Sequence, residues 1–121
     1  MADPIQTIKT VLDAAAPVTA LVGNRISVRP RAQGDVLPAI TLLLVSTAPT
    51  WNLQADSRLD SCRVQVDSWG ASYAEAAALA DAVRTALSAA DRVLVSEVTD
   101  FDPSSETHVV SDDFLVWIDP V

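Results

Sequence analysis

A two-faced strand that changes directly into a capped helix constrains the fold of this chain more than any other feature of its sequence. Apolar Cys62, Val64 and Val66 alternate with polar residues, which is the period-two pattern of a strand with one buried face. Ser72 stands three residues before Glu75, a spacing at which the hydroxyl and the carboxylate bind backbone N–H groups around the first helical turn reciprocally. The junction therefore predicts a helix that packs on one face of a sheet.

The predicted helix carries a narrow stripe of small and apolar side chains. They recur at spacings of three and four residues, which places them on one helical face. The stripe consists of Tyr73, Ala76, Ala80, Val83, Leu87 and Ala90. Because most of these side chains are small, we expect the helix to lie close on the sheet.

Cap and turn residues indicate the helices and loops of the N-terminal third. Asp3 and Pro4 are typical of an N-cap and a first helical residue, and this helix is expected to end before Pro17. Residues 18–25 predict a single helical turn closed by glycine and asparagine. Residues 30–38, bounded by two prolines, predict a loop.

The remaining apolar segments predict strands. They lie at 26–29, 39–46, 50–53, 62–68, 93–101 and 109–118. We expect the strand at 50–53 to form a hairpin with the Cys62 strand. Together these elements predict one α+β domain over residues 1–121, in which an antiparallel β-sheet has two main helices packed on one face.

Two of the predicted strands are apolar on both faces. Leu42 and Leu43 point to opposite sides of one strand, and Val116 and Trp117 point to opposite sides of the last strand. A single layer of helices covers only one face of a sheet. We therefore expect a second layer or another subunit to cover the other face. The high apolar content of a chain of this size favours a subunit contact, and so an oligomer.

Composition and charge restrict the functions that are open to the chain. Sixteen acids against eight bases give a formal net charge of −8, which argues against binding nucleic acid through phosphate contacts. The same repulsion would suit a conduit through which DNA slides without sticking. No stretch approaches the roughly 20 apolar residues of a membrane span and no signal peptide is recognisable, so we expect no membrane contact and a cytoplasmic location when the protein is made.

The reactive residue types do not form a catalytic or metal-binding pattern. Cys62 is the only cysteine and lies in an apolar strand, where a buried small residue is expected. His108 is the only histidine, and Ser72 already serves as a helix cap. Asp100, Asp102, Glu106, Asp112 and Asp113 lack the spacing of a calcium loop, so we interpret them as a solvated acidic turn. We predict no catalytic, cofactor-binding or metal-binding residue, and no enzyme activity.

Arginine and tryptophan residues are the candidates for contacts with partners. Arg25, Arg29 and Arg31 form the only basic cluster and flank the loop that contains Gln33; they either dock on acids of a neighbouring molecule or make local ion pairs at a solvated edge. Tryptophan is enriched in binding hot spots, and it also packs in cores. Both interpretations remain open for each tryptophan, namely Trp51, Trp69 and Trp117.

Two longer segments resemble a known protein family. VTALVGNRISVRPRAQGDVLPAITL, followed by RVQVDSWGASYAEAAALADAVRTAL, is similar to the tail-completion, or tail-terminator, proteins of long-tailed bacteriophages and prophages. The family pattern runs from "V.aLVG.RI" through "lP.i" and "vqvD.w" to "tyaea..la.avr.aL". The matching positions here are Val18, Leu21, Val22, Gly23, Arg25, Ile26, Leu37, Pro38, Ile40, Val64, Gln65, Val66, Asp67, Trp69, Tyr73, Glu75, Ala76, Leu79, Ala80, Val83, Arg84 and Leu87.

The resemblance covers residues 5 to 90 and implies a structural virion protein of the tail-neck region. Such a subunit closes into a ring, usually of six, on the head-proximal end of the tail tube. The ring ends tube polymerisation, presents the surface to which the head attaches through a head-completion or connector protein, and leaves a channel for DNA. On this basis we expect the apolar sheet faces and edges to seal subunit to subunit, and residues 25–33 to dock on neighbours above or below.

Three other functions remain open at this point, and one of them is a small-molecule binding domain. A head-closure or connector protein of the neck would contact the portal side instead of the tube. An acidic DNA-mimic inhibitor would also suit the charge, although mimicry needs acids that are spaced like phosphates along one face, and most acids here fall in turns.

Overall fold

The computed structural model describes residues 3–28, 36–52, 57–104 and 106–118, with the backbone alone at 50–52 and 57–59. Within these residues the chain forms three helices and five strands. In chain order the elements are α1 (Pro4–Ala14), α2 (Ala16–Val22), β1 (Ile26–Val28), β2 (Ala39–Asn52), β3 (Ser57–Gly70), α3 (Tyr73–Ala89), β4 (Val93–Asp102) and β5 (Thr107–Ile118).

The first two helices form a bent pair on the sheet. The Asp3 carboxylate accepts a hydrogen bond from the Ile5 N–H at 3.0 Å, as predicted for an N-cap. The predicted single turn is a full helix, α2, which ends at Gly23 with a φ of 60°. No single helix in the described ranges is long and apolar enough to cross a membrane, and α1 and α2, which reach that length only together, meet at 89°.

The two strands predicted at 39–46 and 50–53 are one continuous strand. β2 pairs with β3 in an antiparallel hairpin from Ala39 opposite Trp69 to Asn52 opposite Ser57. The register shifts between Leu44 and Ser46, where β2 has one extra residue. A β-bulge of this kind bends a strand without ending it. Residues 47–49, between the two predicted strands, continue the ladder opposite residues 60–62.

The predicted α+β fold is confirmed, and the sheet differs from the prediction in one pair of strands, which makes it mixed instead of wholly antiparallel. Its strand order is β1-β2-β3-β5-β4, and β1 runs parallel to β2 while all other neighbours are antiparallel. The parallel ladder begins where the Ile40 N–H donates to the Arg25 carbonyl at 2.9 Å. The apolar pattern of a three-residue strand contains no information about its direction, so the sequence could not show this pairing.

All three helices pack on the same face of the sheet, and the core lies between the two layers. The strand residues of the main core cluster are Ile26, Ile40, Leu42, Cys62, Val64, Val66, Phe114, Val116 and Ile118. Cys62 is buried as predicted. The helices contribute Ile8, Leu12, Val18, Val22, Leu79, Val83 and Leu87.

The buried face of α3 differs from the predicted stripe at three positions, one of which, Ala90, is the C-cap that follows the helix. Leu79 is buried although it was not part of the stripe, and Tyr73 is 57% exposed. Leu79 lies three residues from Ala76 and four from Val83, so it shares their helical face. Tyr73 is the first residue of the helix, where α3 has not yet crossed the sheet.

Candidate functional site

The face of the sheet opposite the helices has no covering layer in the described part of the chain. Side chains alternate across each strand, so every second residue of β2, β3, β4 and β5 points to this side. We call this surface the open face. Among its residues, as the strand register places them, are Thr41, Leu43, Arg63, Gln65, Asp67, Trp69, Val93, Ser96, Val98, Asp100, Val109, Ser111, Asp113, Leu115 and Trp117.

A polar network occupies the centre of the open face. The Arg63 guanidinium donates to the Asp113 carboxylate at 2.8 Å and to the Ser96 hydroxyl at 3.1 Å. The Gln65 amide donates to Asp67 at 2.8 Å. These groups come from β3, β4 and β5, so the network ties three strands together across the sheet. The ion pair between Arg63 and Asp113 is partly exposed, so it contributes little to stability. Its main effect is to fix the geometry of the two side chains.

Apolar side chains lie on both sides of this polar centre. Towards one end of the face, Val93 is 55% exposed and Trp117 is 49% exposed. Leu115, between them on β5, is half-buried. Towards the other end, Val98 is 60% exposed. An apolar surface with a tryptophan and a hydrogen-bonded polar centre is the composition expected of a protein–protein contact.

A shallow groove of about 630 Å³ lies at the second end of the open face. The Trp69 indole forms part of its wall, and its N–H donates to the Thr41 hydroxyl at 2.9 Å, which fixes the ring. The acidic lining comes from Asp100, Asp102 and Asp113. A wide, partly acidic groove of this kind suits a segment of another protein better than a buried small molecule.

The residues predicted as contacts from the sequence do not form one cluster. Trp69 and Trp117 lie on the open face, at different ends. Arg25 is part-buried, and its guanidinium donates to two carbonyls of its own chain, Pro38 at 2.9 Å and Leu21 at 3.2 Å. Its side chain thus holds the end of α2 against the start of β2. Arg29, Arg31 and Gln33 and the side chain of Trp51 lie outside the described residues.

A second cluster of charges lies on the helix side of β4 and β5. Asp112 is fully buried, so the interpretation as part of a solvated acidic turn is wrong for this residue. Its backbone partner in β4 is Glu97. The Arg84 guanidinium from α3 donates to Glu97, and to Asp81 at 2.6 Å. The alternation of β5 could have revealed the burial, because Asp112 has the same parity as Phe114 and Val116.

The pKa values in this cluster are displaced in opposite directions. Burial, and then the hydrogen bond with Glu97, raises the pKa of Asp112 to about 8. The hydrogen bond with Asp112, and then the one with Arg84, lowers the pKa of Glu97. Asp112 therefore keeps its proton to higher pH than an exposed aspartate does. In the described ranges no group of three or more His, Cys, Asp and Glu side chains could hold a metal ion.

Comparison with known proteins identifies the family. The model of the tail completion protein gp17 family matches residues 6–119 of the chain. A chain in the virion of a native gene transfer agent particle has a similar structure, with a TM-score of 0.71 and 17% sequence identity. The alignment covers 97% of this chain and 98% of that chain. No curated protein sequence matches significantly.

The structural likeness shows a shared fold, and the family match confirms the resemblance inferred from the sequence motifs. The match extends to residue 119 and so includes the C-terminal strands, which the motifs did not reach. Because the family model covers nearly the whole sequence, the chain belongs to the family of the tail completion protein gp17, a structural component of phage-like tails.

Proposed function

We propose that the chain forms a ring of identical subunits, a hexamer, on the head-proximal end of a tail tube. There it ends tube polymerisation and provides the surface for joining the head. The family match and the likeness to a chain of a virion particle support a place in the tail. Its partners in this proposal are copies of itself, the tail tube protein and a head-completion or connector protein. The ring lies in the neck of the particle, which assembles in the host cytoplasm.

The open face is the observation that carries the proposal. Val93, Val98 and Trp117 expose much of their apolar surface on one side of the sheet, while the helices cover the other side. A ring requires each subunit to present two different surfaces to its two neighbours. The open face supplies one surface of suitable composition, and an edge of the sheet supplies the other.

The net charge supports passage of DNA without binding. A charge of −8 on each subunit makes the channel wall of a ring repel the phosphate backbone. Weak attraction to the wall would slow the genome during packaging or ejection. The acidic composition thus fits a conduit for DNA.

Aspartate substitutions on the open face test the proposed subunit contact. We expect Trp117→Asp and Val98→Asp to fold as the wild type does, because both side chains are largely exposed. A charge placed in this apolar subunit contact should prevent ring formation, because the desolvation of the charge has no compensating partner. Binding of the ring to tubes should then be lost. Co-sedimentation of the protein with purified tail tubes measures this binding.

Tyr73→Asp provides the matched control. Tyr73 is 57% exposed and lies at the first turn of α3, away from the open face, where a negative charge is compatible with the helix dipole. We expect this variant to sediment with tubes as the wild type does. Full tube binding by both open-face variants would contradict the proposed contact, and selective binding to DNA-filled heads would favour a head-closure or connector protein.

A further inference from the structure

A buried carboxyl group lies where the edge of the sheet meets α3. Asp112 is 0% exposed, and neither of its carboxylate oxygens receives a hydrogen bond from a donor in the described residues. It sits on the helix side of β5, between buried Val110 and Phe114. An ionised carboxylate in such a position would be strongly destabilising, because burial removes its hydration without a compensating donor.

The groups around Asp112 come from three neighbouring elements. β4 contributes Glu97, its backbone partner, and α3 contributes Arg84, which pairs with Glu97 and Asp81. On β3 the backbone partner of Asp112 is apolar Val66.

Two further pairs of charges near β5 are engaged with each other. Asp113, next in sequence, points to the open face and pairs with Arg63 at 2.8 Å. α1 also packs on β5, and its Lys9 and Asp13 pair with each other at 2.8 Å. Arg84 is therefore the cation of this cluster, and it already compensates two carboxylates.

We infer that Asp112 and Glu97 share one proton, and that this proton acts as a pH-sensitive clamp that holds the edge strand β4 against β5 and α3. While the proton is present, Asp112 donates to Glu97, and Glu97 in turn accepts from Arg84. One chain of hydrogen bonds then runs from β5 through β4 to α3. This inference concerns the fold itself and does not depend on the proposed role in the tail.

Loss of the proton would leave Asp112 and Glu97 as two adjacent carboxylates. Arg84 would then be the single cation beside three acids, Asp81, Glu97 and Asp112. Glu97 and Asp112 would repel each other across the β4–β5 ladder, and the buried charge would draw water towards the core. β4 is the element best able to respond. It is the outer strand of the sheet, and nearly all of its residues are exposed. We expect β4 to open locally while β2 and β3 remain paired.

Hydrogen-exchange mass spectrometry of wild type and Asp112→Asn tests the clamp. Exchange is followed in peptides that cover 93–102, from about pH 6 to about pH 10, and corrected for the intrinsic pH dependence of exchange. We expect protection of wild-type β4 to fall at least about tenfold across this range, with little change in peptides of α1. Asparagine has no proton to lose at these pH values, so β4 protection in Asp112→Asn should not change with pH.

A second variant keeps the test decisive if Asp112→Asn does not fold. Glu97 is an exposed residue, and Glu97→Gln removes the neighbouring negative charge while it retains an oxygen that accepts a proton from Asp112. We expect the loss of β4 protection to move to lower pH in this variant, because the neighbouring negative charge that helps Asp112 to hold its proton is gone. Constant protection of wild-type β4 across the range, or the same pH dependence in wild type and in the folded variants, would overturn the inference.

Discussion

Gly70→Ala tests how closely α3 approaches the sheet. A β-carbon at Gly70 would lie 2.6 Å from the Ala76 nitrogen and 3.1 Å from both the Ala76 Cα and the Glu75 carbonyl carbon. All three atoms belong to the helix backbone, so no side chain can rotate away. The start of α3 must therefore move by roughly 1 Å, and overpacking of this kind costs about 1–3 kcal/mol.

Part of that destabilisation is offset in the unfolded chain. Replacing glycine by alanine reduces the conformational freedom of the unfolded state by about 0.4–1 kcal/mol. The net loss expected for Gly70→Ala is then about 1–2 kcal/mol in the free energy of unfolding, or a decrease in Tm of roughly 4–10 °C. Urea unfolding should show a lower midpoint with an unchanged m-value, because the surface exposed on unfolding stays the same.

Ala71→Gly is the matched control, since it changes one methyl group at the neighbouring exposed residue. Its expected effect is below about 1 kcal/mol. If Gly70→Ala were as stable as the wild type, the close approach of α3 to β3 would be wrong, and the explanation of the small residues on the helix would fail with it.

Three further predictions concern the helix cap, the buried acid and the arginine cluster. Ser72→Ala should lower the free energy of unfolding by about 1 kcal/mol in urea titrations, because the hydroxyl accepts from the Glu75 N–H at 3.2 Å; an unchanged midpoint would contradict the cap. The raised pKa of Asp112 means that the folded state holds a proton that the unfolded chain, with a pKa near 3.8, has lost. The wild-type Tm should therefore fall as pH rises towards and through about 8, and a constant Tm in thermal melts would refute this. Alanine at Arg25, Arg29 and Arg31 should leave the fold intact and reduce head–tail joining in a reconstitution assay. Because Arg25 also binds two backbone carbonyls, the variant that retains Arg25 is the control, and unchanged joining in both variants would exclude a role for the cluster.

The sequence predicted those features of the fold that depend on local patterns. The cap at Ser72, the N-cap at Asp3 and the alternation at Val64 and Val66 are contacts between near neighbours, so they can be read from spacing alone. The prediction that one face of the sheet would lack a helical layer also rested on such a pattern, because Val116 and Trp117 point in opposite directions. In the structure Val116 is buried and Trp117 is 49% exposed.

The features that were missed depend on contacts between distant residues. The bulge near Val45 continues β2 through a break in the pattern, and the direction of β1 depends on pairing with a strand that begins at Ala39. Asp112 was assigned to a solvated turn by residue type, although its parity places it in the core. Its burial depends on Glu97 and Arg84, which no local rule brings together.

The most direct test of the proposed function is electron microscopy of the purified protein mixed with tail tubes. We expect a ring at one end of each tube, on the head-proximal side, and no further growth when tube protein is added. The Trp117→Asp variant should leave these ends open and the tubes growing. Rings that bind only to heads, or tubes that elongate equally with and without the protein, would contradict the assignment as a tail terminator.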